Sequence, residues 1–362
     1  MNIIEYVESQ MENFQEKPFN TVDSLVLSQL SYLNFSNIVP GFQDKRGTVK
    51  ISELLKAEKI PAMLDNVRDP KSNHRLLIAL GMSPRYRDIR LCYYEESLDI
   101  AEEKQFGAIT CLIDENLAYI AYKGTDATIV GWKEDFNMAY MSPVPSQVEG
   151  AAYLQAVTKK ISCNLLVGGH SKGGNIAVYA SMECDKQIQD RILKIFSHDG
   201  PGFRDEVFST EKYKKIQQKI HKTLPQSSLV GMLLQHQEDY KVVESNQFWF
   251  MQHDPFSWVI SDGDFIYTQG LTGGAEHINT VISQWVSKVD DDKRELFIST
   301  LYGVVESMGV IKFSDFNDDW YKKAGIALEA ARELDPETKR FVTETIKSLL
   351  ALYMKSFVFK LK

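Results

Sequence analysis

The chain has 362 residues, 44% of them apolar and 25% charged. That composition excludes a disordered, collagenous or low-complexity scaffold and supplies enough apolar surface for a core without staples. Its 41 Lys and Arg stand against 49 Asp and Glu, a net charge of −8. The short basic runs Lys159-Lys160 and Lys214-Lys215 make no basic face, so nucleic acid is set aside as a partner. Cys92, Cys111, Cys163 and Cys184 have neither CxxC nor metal spacing. The opening residues MNIIEYVESQ have no basic-then-apolar leader pattern, and no run of about 18 apolar residues occurs. The expectation is a cytoplasmic protein with reduced thiols and no stable membrane insertion.

Along the chain, residues 1–88 read as a mostly helical segment packed on the core. Asp23 is the expected cap of a helix carrying Val26, Leu27, Leu30 and Leu33. Residues 89–270 change texture to strands and turns and read as the core domain. Residues 106–113 and 117–122 flank Asp114-Glu115-Asn116, a hairpin or short connection. Residues 165–168 and 192–197 are short apolar runs with a helical pattern, 176–184, between them. The second run ends in Asp199-Gly200-Pro201-Gly202, and residues 240–243 and 248–251 read as a late strand pair. Strands alternating with helices predict an α/β fold, a mainly parallel sheet flanked by helices. Residues 271–362 are helical again. Ile278, Val281, Ile282, Trp285 and Val289 recur at helical spacing, and Asp335-Pro336-Glu337 opens a last helix. This stretch is expected to form a C-terminal extension or cap.

The chemically sharpest segment is Gly169-His170-Ser171-Lys172-Gly173, a G-x-S-x-G pentapeptide between a strand-like and a helix-like run. A serine on so tight a strand-to-helix turn needs small residues two before and two after it, because strand and helix pack closely there. The turn exposes the hydroxyl and aims a helix N-terminus at developing negative charge. A glycine-rich turn with a capping serine is the bland competitor. A phosphate loop competes less well, since the GK[ST] ending does not follow.

A serine nucleophile needs oxyanion donors, a base and an acid. One donor is the backbone N–H of Lys172, directly after the serine. The other is expected in a loop after an earlier strand. Residues 118–122 form such a strand and run into Lys123-Gly124-Thr125-Asp126. Here the sequence resembles the class 3 lipases, which carry an aromatic-Arg-Gly-Thr/Ser segment followed by Trp and Asp. The matching residues are Tyr122, Lys123, Gly124, Thr125, Trp132 and Asp135. The resemblance implies that Thr125 supplies the second oxyanion donor. Val148, Glu149, Gly150 and Tyr153 look like that family's helix before the elbow, with Glu149 where a His is usual. More narrowly, the chain resembles a bacterial group of lipase-like α/β-hydrolases with GHSKGGN, here residues 169–175, and DGPGF, here residues 199–203. The resemblance spans about residues 105–205. It departs at Lys172, where lipases commonly have Leu, and at Lys123, where they have Arg. It implies an α/β-hydrolase fold, a small-molecule or lipid ester substrate and no metal or organic cofactor. It also implies a lid near Tyr140, Met141, Pro143 and Pro145.

The base must be a histidine, and the order serine, acid, histidine favours a late one on a loop. His253, in Gln252-His253-Asp254-Pro255, fits best, with His277 and His236 as alternatives. His221 and His236 lie in helix-like stretches. Class 3 lipases place the acid in a D-x-V-P segment. The nearest match, Ser228-Leu229-Val230-Gly231, has serine at the acid position. Asp199 is the expected acid instead, resembling pancreatic-type lipases in its Gly-Pro turn, with Asp239 as the alternative. The acidic runs at 290–292 and 315–319 lack the glycine and distal glutamate of a calcium loop and read as solvated turns. The expected function is a serine hydrolase of carboxylic esters acting through Ser171, His253 and Asp199. Its rivals are a thioesterase or acyltransferase on the same residues, and a non-catalytic hydrolase-fold binding protein.

Overall fold

The computed structural model describes residues 1–125, 129–234, 239–307 and 320–359. Asp126, His236 and the acidic run at 315–319 lie outside the described residues, as does the side chain of Trp132. Helix α1 spans Ile3–Ser9 and α2 spans Thr21–Leu30. The cap of α2 is Asn20 rather than Asp23: the Asn20 side chain accepts the backbone N–H groups of Val22 and Asp23. Asp23 sits one turn in and returns a carboxylate oxygen to the Asn20 N–H, a reciprocal capping box. Its other duty is internal. Arg85 grips it through Nε at 2.9 Å and Nη2 at 2.6 Å, with both side chains fully buried.

Strand β1 (Val49–Lys50), helices α3 (Ile60–Met63) and α4 (Pro70–Met82), and strands β2 (Arg90–Asp99), β3 (Lys104–Leu112) and β4 (Leu117–Tyr122) follow. Strands β1 to β4 pair antiparallel, and the turn at 114–116 joins β3 to β4 as expected. The chain then changes habit. Helices α5 (Ile129–Asn137) and α6 (Pro145–Thr158) lead to β5 (Asn164–His170), and α7 (Lys172–Glu183) and α8 (Lys186–Arg191) lead to β6 (Ile192–His198). Helices α9 (Asp205–Phe208) and α10 (Glu211–Ile216) lead to β7 (Ile220–Pro225), and β8 (Tyr240–Val243) follows. Strands β4 to β8 are parallel neighbours. A small hairpin, β9 (Ile260–Ser261) and β10 (Asp264–Phe265), precedes β11 (Tyr267–Thr268), which closes the far edge antiparallel to β8. Among the described residues the main sheet therefore runs β1-β2-β3-β4-β5-β6-β7-β8-β11, parallel at its centre and antiparallel at both edges.

This order explains why the chain needs its N-terminal helices. Parallel strands that step in one direction through right-handed crossovers put their connecting helices on one face. That face packs Ala118, Ile120, Leu165, Val167 and Ile195 against Tyr153, Ile176 and Ala180 of α6 and α7. The opposite face presents Tyr119, Ala121, Leu166 and Phe196, which pack with Leu25, Val26, Leu77 and Leu80 of α2 and α4. Without that cover a central parallel sheet would expose one apolar face.

Two local expectations are corrected. Residues 248–251 are not a strand: Trp249–His253 forms a 3₁₀ helix, and the partner of β8 is β11. Phe248 and Met251 are exposed, so the apolar run was never half-buried in alternation. His221 lies on β7, not in a helix. Toward the C-terminus come α11 (Gly273–Lys288), α12 (Asp291–Ser307), α13 (Trp320–Glu333) and α14 (Pro336–Phe359). Phe297 and Ile298 of α12 and Val342 of α14 form a small core against Ala139, Tyr140 and Trp285. Among the described residues no helix is long and apolar enough to cross a membrane.

Candidate active site

Strand β5 ends at His170 and α7 begins at Lys172, so Ser171 alone makes the turn. Its φ is +58° with ψ −134°, a region that costs a non-glycine residue on the order of 1–3 kcal/mol. The flanking glycines are steric necessities. A Cβ on Gly169 would lie 2.3 Å from the Gly173 carbonyl carbon, and one on Gly173 would lie 2.2 Å from Tyr122 O. Strand β5, helix α7 and the end of β4 converge only because those side chains are missing. The strained turn is held by its own backbone, Ser171 N–H donating to His198 O at 2.9 Å.

Two loops at the carboxyl ends of the parallel strands reach this serine. His253, at the end of its 3₁₀ helix, sets Nε2 at 3.0 Å from Ser171 Oγ. Its Nδ1 lies 2.6 Å from Asp199 Oδ2. Asp199 follows β6 directly, with φ +48°, and is fully buried. Its second oxygen, Oδ1, accepts the Ser228 hydroxyl and, at 3.1 Å, the Gly231 N–H. Ser228 is the serine at the position where class 3 lipases carry the acid. Here it serves the carboxylate that stands one strand earlier. Of the alternatives, His277 is buried on α11 and Asp239 is exposed just before β8.

The backbone of His253 has its own anchors. The carbonyl of His253 lies 2.9 Å from His170 Nε2. A carbonyl only accepts, so Nε2 carries the proton, and His170 Nδ1 accepts the Tyr32 hydroxyl at 3.0 Å. Burial, reinforced by His253 and His198 nearby, holds the His170 pKa well below the usual histidine value. One residue earlier, the Gln252 side chain accepts the Ser227 N–H at 2.6 Å, and Trp258 donates to Gln252 O at 2.8 Å.

On the other side of Ser171, Thr125 follows β4. The preceding Gly124 runs so close to the elbow that a Cβ there would lie 2.4 Å from His170 O. The Thr125 hydroxyl donates to Asp135 on α5. Burial raises the Asp135 pKa to about 6, opposed by the Lys172 charge and the Thr125 hydrogen bond. The Lys172 side chain does not line a mouth. It is fully buried, and Nζ donates to Glu134 Oε2 at 2.7 Å, Gln105 O at 2.8 Å and Gln105 Oε1 at 3.0 Å. The segment proposed as a lid is clamped from two sides. Arg204, just beyond Asp199, donates to Tyr140 O, and Arg294 of α12 donates to Ala139 O at 3.0 Å.

The sequence reading did not assign roles to Ser228, His170 or Glu134. A lysine at the start of a helix packed on a sheet needs a buried counterion. The Glu134-Asp135 pair was the place to look for one. For Ser228 the signal was its place at the acid position of the class 3 pattern; none marked His170.

The family model described as Mbeg1-like matches residues 80–303, more than half of the chain. No curated protein matches the sequence. Among solved structures the chain is similar to Rhizomucor miehei lipase in its propeptide complex, both native and as a deletion mutant. The native form is 13% identical with a TM-score of 0.37, covering 74% of this chain and 73% of that one. M37 lipase is 15% identical with a TM-score of 0.32, covering 58% of this chain and 68% of its own.

Proposed function

The chain belongs to the Mbeg1-like family, and from that premise we propose that it is a serine hydrolase cleaving carboxylic esters through an acyl-enzyme on Ser171. The observation that carries this reading is the unbroken line Asp199 Oδ2, His253 Nδ1, His253 Nε2, Ser171 Oγ, at 2.6 and 3.0 Å. In it the Ser171 hydroxyl donates to Nε2, and Nδ1–H donates to the carboxylate, the tautomer that a general base needs.

Ser171 Oγ attacks the ester carbonyl while His253 Nε2 takes its proton. The tetrahedral oxyanion is met by the backbone N–H groups of Lys172 and Thr125. The imidazolium, stabilised by Asp199, then protonates the departing alkoxide as the acyl-enzyme forms. Water repeats the sequence in reverse: His253 removes its proton, the acid leaves, and the proton returns to Ser171. The strain at Ser171 belongs to this chemistry, since it keeps Oγ projecting toward His253.

The test is hydrolysis of p-nitrophenyl esters of graded chain length, together with labelling by a fluorophosphonate probe. The expected result is turnover and labelling by the wild type. Ser171→Ala is expected to label nowhere and to lose about 10⁴–10⁶-fold in kcat. A folded wild type that does neither would leave the non-catalytic binding protein as the better reading.

A further inference from the structure

We infer that Glu134 and the side chain of Lys172 act as positioning residues that lock both proposed oxyanion donors into one frame. This inference rests on the hydrolase reading of Ser171. The pair joins α7, which carries one donor, to α5, whose Asp135 holds Thr125. Lys172 carries one donor on its own backbone, at the first position of α7, where helix N–H groups have no partner inside the helix. Its ammonium spends its three protons on Glu134 and on the main chain and side chain of Gln105, at the start of β3. That leaves the side chain no freedom to let the first turn of α7 shift.

Glu134 is equally committed. Its Oε2 accepts both Lys172 Nζ and, at 3.0 Å, the Gln105 N–H, while its Oε1 accepts the Ser146 N–H of α6 at 2.9 Å. One carboxylate thus ties α5, α6, α7 and β3 together. The next residue on α5 is Asp135, which holds the Thr125 hydroxyl. Rotating α5 about its axis would release Thr125 and Lys172 together.

Stability alone does not account for such a pair. Both side chains are fully buried, and removing two charges from water offsets most of what their attraction returns. Replacing a buried ion pair by neutral side chains of similar size is often neutral or stabilising. What the charged pair adds is a single allowed register. An oxyanion hole acts through donors fixed before the charge arrives, so a small displacement lowers the rate of the chemical step rather than substrate binding.

The experiment compares wild type with the double variant Glu134→Gln/Lys172→Met, which removes both charges at nearly constant volume. It reads thermal midpoint, kcat and KM for a short p-nitrophenyl ester, and the rate of fluorophosphonate labelling. The expected result is a folded protein with a somewhat lower midpoint, since Gln105 O and Oε1 lose their donor, and KM within about twofold. With these, kcat and labelling rate fall by about 10- to 100-fold, part of the loss seen when a whole oxyanion donor is deleted. A folded double variant within about threefold of wild-type kcat overturns the inference and leaves the pair as packing. Should the double variant not fold, Lys172→Arg keeps the charge but moves the anchor. The same kcat loss at constant KM is then expected, and unchanged kcat overturns the inference. A wild type that neither turns over nor labels overturns the hydrolase reading, and this inference falls with it.

Discussion

The two sides of Ser171 are built by different means. On the histidine side, neutral donors hold the parts: Ser228 and the Gly231 N–H on Asp199, and His170 on the carbonyl of His253. On the proposed oxyanion side, a buried ion pair and a second carboxylate hold them: Lys172 with Glu134, and Asp135 with Thr125. The difference follows from what each side must do. In the proposed mechanism the histidine would acquire positive charge, and a cation beside Asp199 would compete with it for the carboxylate. A proposed oxyanion side would have to be rigid while empty, and saturated ionic hydrogen bonds give rigidity.

The largest effect should come from breaking the histidine side at its acid. Asp199→Asn keeps the size of the side chain but offers an amide, which can donate to Nδ1 and stabilise the wrong tautomer. With the triad reading, kcat for the p-nitrophenyl ester is expected to fall by about 10⁴-fold, with little change in the thermal midpoint. Activity within tenfold of wild type would pass the role to another carboxylate. A smaller effect is expected one contact further out. Ser228→Ala removes one of the donors on Asp199 Oδ1 and leaves the Gly231 N–H in place. A single hydrogen bond to a charged group is worth about 1.5–3 kcal/mol. Only part of it differs between ground and transition states, so a kcat loss of about tenfold is expected, measured by the same assay. No change would mean that Gly231 suffices and that the two sides are less alike in their need for support than the contacts imply.

Legibility in the sequence followed the same division. The elbow was readable because its glycines, serine and flanking strand and helix runs are contiguous in the sequence, although one of the backbone atoms that Gly173 must clear, Tyr122 O, comes from β4. The alternation of strand and helix patterns was readable because buried parallel strands are short apolar runs. The antiparallel edges were harder: β1 and β11 have two residues each and no pattern of their own. The run before His253 imitated a strand because four apolar residues carry no period that separates a strand from a turn of 3₁₀ helix. The supports of the site were least readable. Glu134 and Lys172 are 38 positions apart, and Ser228 and Asp199 are 29 apart. Such contacts exist only once the sheet order is known.

The two sides should also titrate in opposite senses, the smallest effect expected here. Burial pushes the His198 pKa down to about 3, and that of His170 well below the usual value. In the unfolded chain both take up protons near pH 6.5. As the pH falls below that value the unfolded state binds protons that the native state refuses, so stability falls with pH. Asp135 works the other way. Its pKa is raised to about 6 from 3.8, so between those values the native state holds the extra proton and acidification favours folding. Burial also lowers His221, which adds to the first sense, and raises Asp254 and Glu95, which adds to the second, so urea midpoints are read as a difference between variants. His198→Gln separates the contributions. His198 lies 2.7 Å from Ser24 Oγ and 2.6 Å from Thr223 Oγ1, and an amide can meet both hydroxyls without titrating. The variant should lose up to about 1.4 kcal/mol per pH unit from the slope below pH 6.5, the value of one proton. An unchanged slope would mean that His198 accepts its proton in the folded protein. Any loss of stability on acidification would then belong to the other histidines that burial holds low, His170 and His221.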